Sequence, residues 1–390
     1  MALQTLEHFD TIDSEHLERL SGARSTLCAS IYLPTHRCGN DVQQDPIRLK
    51  NAVAEARRQF VEFGQSGDDA DDLLRPAVEL MVLDAYDFWQ HQSDGLAILL
   101  SAEEACLFQL PTKFDEEVAV SDRFRLKPLL RSMNSNEEFH LVAVSRGAVR
   151  VFRGCRSGLK EEHFSDLPES LQEFSSHDQQ RGHNWHSFKV RANSADSSVP
   201  HGHVENKEEA DLRQYFREIK NALPSHFKTV SGPVVFAGVE ELFPYFRSAF
   251  DDCSVLDEYV AGNPDDLSND QLLKKAWPLV QQQCDSTCAA VVDRFKEASG
   301  TDFGSTCLKT IVEAAYRGRI DTLLLKHGER NYGTCDKNGM VDRSDEVASA
   351  DTYDLYDIAA IRTLRADGRV VFIDDEAMES PVAAIFRYVA

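Results

Sequence analysis

At 390 residues, with 42% hydrophobic and 27% charged residues, the chain has the make-up of a soluble globular protein and the length for several cores. No apolar run approaches the roughly eighteen residues a membrane helix requires, and the acidic start MALQTLEHFDTIDSEHL lacks the basic head and apolar body of a secretory leader. A cytoplasmic location with no membrane partner is the expectation, and the net charge of −23 argues against an ordinary basic, free-standing nucleic-acid binder. The acidic excess runs through every third of the chain, although a local basic contact is a separate matter from the long-range field. The 9 cysteines are odd in number and show no C-x-x-C pair, which fits thiols in a reducing compartment. Cys284 and Cys288 lie one helical turn apart with no second pair nearby, so the expectation is no metal and no cofactor.

In chain order, Thr26 to Leu33 is rich in strand formers and stops at Pro34. Asp45 and Pro46 then suit a helix start, with Asp45 as the cap, and Leu49, Val53, Ala56, Phe60 and Phe63 recur at helical spacing. GQSGDDADD reads as a polar break before a second long helix marked by Leu74, Ala77, Met81, Ala85 and Phe88. GLAILL and ACLFQL predict a hairpin, and residues 124–138 a connector. Its basic run DRFRLK, with Arg123, Arg125 and Lys127, reads as a solvated face. His36 and Arg37, with Gln43, Gln44 and Arg48, form a polar cluster after the first strand; it either lines a site or simply closes the sheet over the helix start.

FHLVAVSRGAVRVFR predicts a second hairpin turning at Arg146 and Gly147. After a long loop, Leu212, Tyr215, Phe216, Ile219 and Leu223 mark an amphipathic helix. PVVFAGV is a buried strand, a short helix covers 240–250, and Ser254 to Val260 is expected as a strand. Ser268 and Gln271 make a capping box for the helix through Leu272, Ala276 and Val280. Beyond Gly300 come a helix over 306–316, the strand IDTLLLK, an Asn338-Gly339 turn, a helix over 352–365 and the strands RVVFI and PVAAIFRYV. The whole predicts an α/β protein of three α/β domains, at 1–134, 135–300 and 301–390.

Residues 176–206 hold five of the 13 histidines, and a loop of about thirty residues is far above the usual length. Trp185 offers a ring for stacking on bases, and Arg181, Lys189 and Arg191 offer contacts to RNA phosphate. His183 with His186, or His201 with His203, would supply pairs of imidazoles to a metal, at spacings that are weak without a helix frame. One histidine acting as general acid or base would make the chain a metal- or histidine-dependent hydrolase; the other alternative is a non-catalytic interaction module. A carboxylate nuclease would draw on Asp251, Asp252, Asp257 and Glu258, which read more simply as solvated charges.

SIYLPTHRCGNDVQQDPIRLKNAV with GLAILL, then FHLVAVSRGAVRVFRG and VVFAGVEELFPYF around the long loop, then AAYRGRIDTLLL and VAAIFRYV, resemble in order and phrasing the archaeo-eukaryotic class 1 release factors and Pelota, and most closely their bacterial offshoot, the baeRF proteins. The resemblance covers nearly the whole chain and is most specific in LPTHR with QQDPIRLKN. It implies a release-factor-like N-terminal domain, a ribonuclease H-like middle domain and an L7Ae-like third domain. It also implies ribosome and tRNA as partners, with a translational GTPase beside them. In release factors the long middle-domain loop carries Gly-Gly-Gln; here that place offers Gln179-Gln180-Arg181-Gly182 and His201-Gly202-His203. The catalytic candidates are therefore Gln179, Gln180, His183, His186, His201 and His203, without carry-over of release-factor ester hydrolysis. The Asn-Ile-Lys-Ser turn that reads stop codons is also absent.

Overall fold

The computed structural model describes residues 6–389 apart from 11, 13, 24–26, 38–39, 83–84, 135–138, 146, 157, 169, 171–201, 224–231, 337, 344–351 and 374–375. Its contacts gather the chain into two units: Met1–Ser135 with Ser286–Ala390, and Asn136–Asp285. No helix among the described residues is long and apolar enough to cross a membrane.

The N-terminal section opens with β1 (Glu7–Phe9), α1 (Ser14–Gly22) and β2 (Cys28–Pro34). Then come α2 (Asp45–Glu62), α3 (Gly67–Val82), α4 (Ala85–Gln90), β3 (Gly95–Leu100), β4 (Ala105–Leu110), β5 (Glu117–Ser121) and α5 (Lys127–Asn134). The strands form one sheet in the order β1-β4-β3-β2-β5. β2, β3 and β4 are buried along their whole length, as their nearly unbroken apolar text requires. Leu49, Ala52, Val53, Ala56 and Phe60 of α2 cover one face with Leu74 and Ala77 of α3.

Four expectations need correction here. Asp45 does not cap α2: the N-cap is Gln44, without a side-chain bond, and the buried Asp45 carboxylate is turned to His36. GQSGDDADD is mostly helix, because Ser66 Oγ accepts from Asp69 N at 3.1 Å and Asp68 and Asp69 favour the positive end of the helix dipole. The connector 124–138 contains α5. The single helix expected through Phe88 is described as α3 and α4.

The second unit contains β6 (Phe139–Val144), β7 (Val149–Cys155), β8 (Gly158–Glu162), α6 (Gly202–Ala222), β9 (Val234–Gly238), α7 (Phe243–Ala249) and β10 (Val260–Ala261). The sheet order is β10-β9-β6-β7-β8, with β10, β9 and β6 parallel and β7 antiparallel to both its neighbours. Counted within the unit this is 5-4-1-2-3, the arrangement of a ribonuclease H-like sheet. Strand alternation divides the core. Val142 and Val144 meet Tyr215, Phe216 and Ile219 of α6 and Phe246 of α7 on one face. Leu141 and Ala143 meet Leu272, Ala276 and Val280 on the other. Ser254–Val260 is not a strand as expected; only a bridge of Val255 to Val234 and the two-residue β10 remain.

Helix α8 (Asn269–Ser299) starts with the expected box, Ser268 N donating to Gln271 Oε1 at 2.9 Å and Gln271 N to Ser268 Oγ at 3.3 Å. Its later residues Val291, Val292 and Phe295 pack on Leu324, Val371, Ala383 and Ile385 of the C-terminal section. That section continues with β11 (Gly304–Ser305), α9 (Leu308–Tyr316), β12 (Ile320–Lys326), β13 (Tyr332–Cys335), β14 (Val341–Arg343), β15 (Tyr353–Asp354), α10 (Leu355–Arg365), β16 (Arg369–Ile373) and β17 (Val382–Phe386). The sheet order is β11-β17-β12-β16, with a small sheet β14-β13-β15 beside it. Tyr32, Phe108, Phe124, Leu126 and Leu130 share one core cluster with Ile311, Leu323, Tyr356 and Ala359.

Candidate functional site

In the second unit β8 runs parallel to β6 and β9, being antiparallel to the intervening β7. The three therefore end at the same edge, and the long loop leaves from there after β8 and returns as α6. Partly buried Phe164 and Leu167 fasten its departure to the core, and Leu212, Tyr215 and Phe216 fasten its return. Neighbouring turns at this edge are tight. Ser145 Oγ accepts from Gly147 N at 3.0 Å and Ala148 N at 2.9 Å, and Arg150 Nη2 donates to Pro264 O at 2.7 Å. A Cβ at Gly238 would lie 2.9 Å from Val144 O, so only glycine lets β9 end against β6 there.

His177, Gln179, Gln180, Arg181, His183, Trp185, His186, Lys189, Arg191 and His201 lie outside the described residues. The loop was expected to reach residue 206, but helix α6 begins at Gly202, so His203 stands in its first turn. Three of the four carboxylates weighed for a nuclease are taken up in ion pairs. Asp251 and Asp252 hold Lys220 at 3.3 and 2.5 Å, and Asp257 holds Arg247 at 2.6 Å. Among the described residues no group of three or more His, Cys, Asp or Glu is placed to hold a metal ion.

The polar cluster after β2 is self-neutralised. His36 bonds the buried Asp45 through its backbone N and its Nδ1, each at 2.9 Å. Arg37 grips Asp94 with two bonds of 3.0 and 3.1 Å, Arg48 faces Glu116 at 3.4 Å, and Thr35 Oγ1 donates to Ser93 O at 2.9 Å. LPTHR and QQDP are thus two halves of one clasp between β2, α2 and the turn before β3.

The run Asp122–Lys127, read as solvated, is instead the polar seam of the first unit. Ser30 Oγ accepts from Arg125 N at 3.0 Å and Tyr32 Oη donates to Arg125 O at 2.5 Å, which fixes the backbone to β2. The Arg125 side chain pairs with Glu117 and donates to Tyr332 Oη at 3.1 Å, while Arg330 reaches the same Glu117 at 2.8 Å. Lys127 Nζ bonds Asp354 Oδ2 at 2.7 Å, and Asp354 also caps α10. Asp357 Oδ1 accepts from Leu126 N at 2.9 Å and from Lys127 N, so a residue of α10 caps α5.

Arg123 lies 3.5 Å over the Tyr353 ring beside Asp122. Arg123, Arg125, Tyr332, Tyr353, Asp354 and Asp357 line a cleft of about 230 Å³ with Phe63 and Thr352. Burial, then the neighbouring Asp354, push the Asp357 carboxyl up to about 7, against Arg125, Lys127 and the Leu126 N–H. Each cation has its acid, so the arrangement is chemically a joint: it holds elements together and presents no unmatched charge to a substrate. Its acidic partners, Asp354 and Asp357, are more than 200 positions from the run they complete, and sequence reasoning passed over them.

Residues 138–319 match the family model described as bacterial archaeo-eukaryotic release factor family 3. No curated protein matches the chain significantly in sequence. Among solved structures, the archaeal translation termination factor aRF1 is 17% identical over 97% of this chain and 99% of that one, with a TM-score of 0.23. Dom34 of S. cerevisiae, a translation termination-like factor that interacts with Hbs1, is 12% identical over 76% and 74%, with a TM-score of 0.40. An archaeal Pelota, ribosome-bound with ABCE1, is 12% identical over 76% and 73%, with a TM-score of 0.38. The similarity to bacterial archaeo-eukaryotic release factor family 3 is thus carried by residues 138–319, a little under half of the chain.

Proposed function

We propose that this protein is a release-factor and Pelota-like translation factor that acts at the ribosome, in rescue, release or stress response, in the cytoplasm. The observation that carries the reading is the family match over 138–319, which covers the sheet of the second unit and the loop inserted at its edge. In this reading residues 1–134, 135–300 and 301–390 are the N-terminal, ribonuclease H-like and L7Ae-like domains. The loop 176–206 is the counterpart of the release-factor catalytic arm, with Trp185, Arg181, Lys189 and Arg191 meeting RNA. Since Gly-Gly-Gln is missing, the arm's role is placement, and Gln179, Gln180 and the histidines are candidates for any remaining chemistry. A translational GTPase is the companion this reading implies.

Co-sedimentation with 70S ribosomes at low salt tests the reading. The full chain should pellet with ribosomes, and a chain with 176–201 replaced by a short Gly-Ser linker should pellet at least several-fold less. Absence of the intact protein from the ribosome pellet would sink it.

A further inference from the structure

We propose that the C-terminal section carries an arginine face that binds RNA, at the edge of its sheet where β12 and β16 begin and β17 ends. The placement follows from topology. β12 and β16 are parallel and each follows a helix, and β17 is antiparallel to β12. The ends of α9 and α10, the starts of β12 and β16 and the finish of β17 therefore meet at one edge. Contacts there agree: Arg387 N donates to Arg319 O at 2.8 Å, and a Cβ on Gly318 would touch Ala366 at 3.4 Å.

This edge gathers Arg317, Arg319, Arg362, Arg365, Arg369 and Arg387. None of the six makes an ion pair with an acid among the described residues, whereas Arg19, Arg37, Arg48, Arg57, Arg58 and Arg75 of the N-terminal section each have one. Arg317, Arg365, Arg369 and Arg387 are exposed. Arg362 is held in place over the Tyr316 ring at 4.3 Å, and buried Arg319 donates to Tyr388 O at 3.0 Å. The acids nearby are Glu313, one turn before Arg317, Glu18, whose carbonyl takes Arg365 Nη2 at 3.4 Å, Asp367, Asp302, and Asp321, which Arg294 engages at 2.7 Å and which also feels the charge of Arg387. Helix C-termini welcome cations, which explains one or two of these arginines; it does not explain those at strand starts or after β17.

RNA is favoured over an acidic protein by two features. All six cations are arginines, whose planar forks suit phosphate and stack on bases. Two aromatic rings stand exposed beside them, Phe303 at 43% and Tyr388 at 52%, set by the bond from Phe386 N to Phe303 O at 2.7 Å. In a chain of net charge −23 such a face is where phosphate is tolerated. The inference deepens the ribosomal reading and rests on it for which RNA is met in the cell.

The test uses the full chain with a labelled 20-nucleotide RNA hairpin and its single-stranded form, at salt from about 50 to 200 mM. The wild type should bind, and R317E/R365E/R369E should lose at least about tenfold in affinity, with the salt slope reduced by roughly one per contact removed. R317Q/R365Q/R369Q repeats the test with charge removed in place of reversed, and an unchanged unfolding midpoint for either variant shows that the fold is kept. No binding by the wild type, or equal binding by a folded variant, would overturn the proposal. Competition by poly-glutamate as effective as that by RNA of equal charge would also overturn it, by assigning the face to an acidic protein. Ribosome pelleting separates the two readings. If a variant that has lost RNA binding pellets as the wild type does, the face binds RNA as proposed and the ribosome is held by other parts of the chain. If the wild type does not pellet while the hairpin result holds, the ribosomal reading falls and the face stands.

Discussion

Asp357 is the residue on which the first unit's polar seam turns. It is 4% exposed, caps α5 from α10, and faces Asp354, Lys127 and Arg125 with the buried Tyr32 phenol close by. Its carboxyl lies near 7 in the folded chain against an ordinary 3.8, so the folded state takes up a proton between those limits. The contribution of Asp357 to stability is therefore complete below about pH 4 and is lost as pH rises through about 7. Denaturant unfolding of the wild type and Asp357→Asn at pH 5 and pH 8 should show their stability difference moving by about 2–3 kcal/mol in favour of the acid at pH 5. A difference that stays constant across that range would show that Asp357 is ionised throughout. His36 carries a related lesson about reading residues in isolation. The sequence brought His36, Arg37 and Arg48 together after a strand, but a cluster and a clasp look alike until Asp94, 57 positions away, is placed on Arg37.

Among the elements, the apolar ones were the most legible. The nearly unbroken apolar text of β6 and the period-3.6 text of α6 already imply the two-faced core that Val142, Tyr215, Phe216 and Ile219 form. Polar text was read less well, because its meaning depends on partners. GDDADD looks like a break, yet four acids in the first turns of α3 are what a helix N-terminus prefers once Ser66 supplies the cap. Ser66→Ala should accordingly lower stability by about 1 kcal/mol, read as a reduced denaturant midpoint at unchanged slope. Little or no change would mean that the packing of Leu74 and Ala77 alone sets the helix start. DRFRLK was misread for the same reason: its charge suggested solvent, and Glu117, Asp354 and Asp357 turn it into an interior joint. Ser254–Val260 has strand-like composition, but its pairing amounts to one bridge and a two-residue β10.

At the scale of the molecule, acidity and RNA contact are reconciled by distribution. The N-terminal section pairs its arginines with its own carboxylates, and the arginines of the C-terminal sheet edge make no ion pair among the described residues. Net charge read from composition speaks to the far field alone, so the arginine face was hidden in it; spacing such as AAYRGR and IRTLRADGR becomes informative only when topology brings the two phrases to one edge.

The insertion of the loop between β8 and α6 has a consequence for chain connectivity. β6 lies between β7 and β9, paired antiparallel to the one before the loop and parallel to the other after it, and α6 is buried against Val142 and Val151. A cut anywhere in 171–201 therefore yields two polypeptides that share a sheet and a core. Such a nicked chain should migrate as one species under native conditions and separate into two only in denaturant. Spontaneous dissociation after a single nick would mean that the covalent link through the loop, more than the β6–β9 pairing, keeps the halves together.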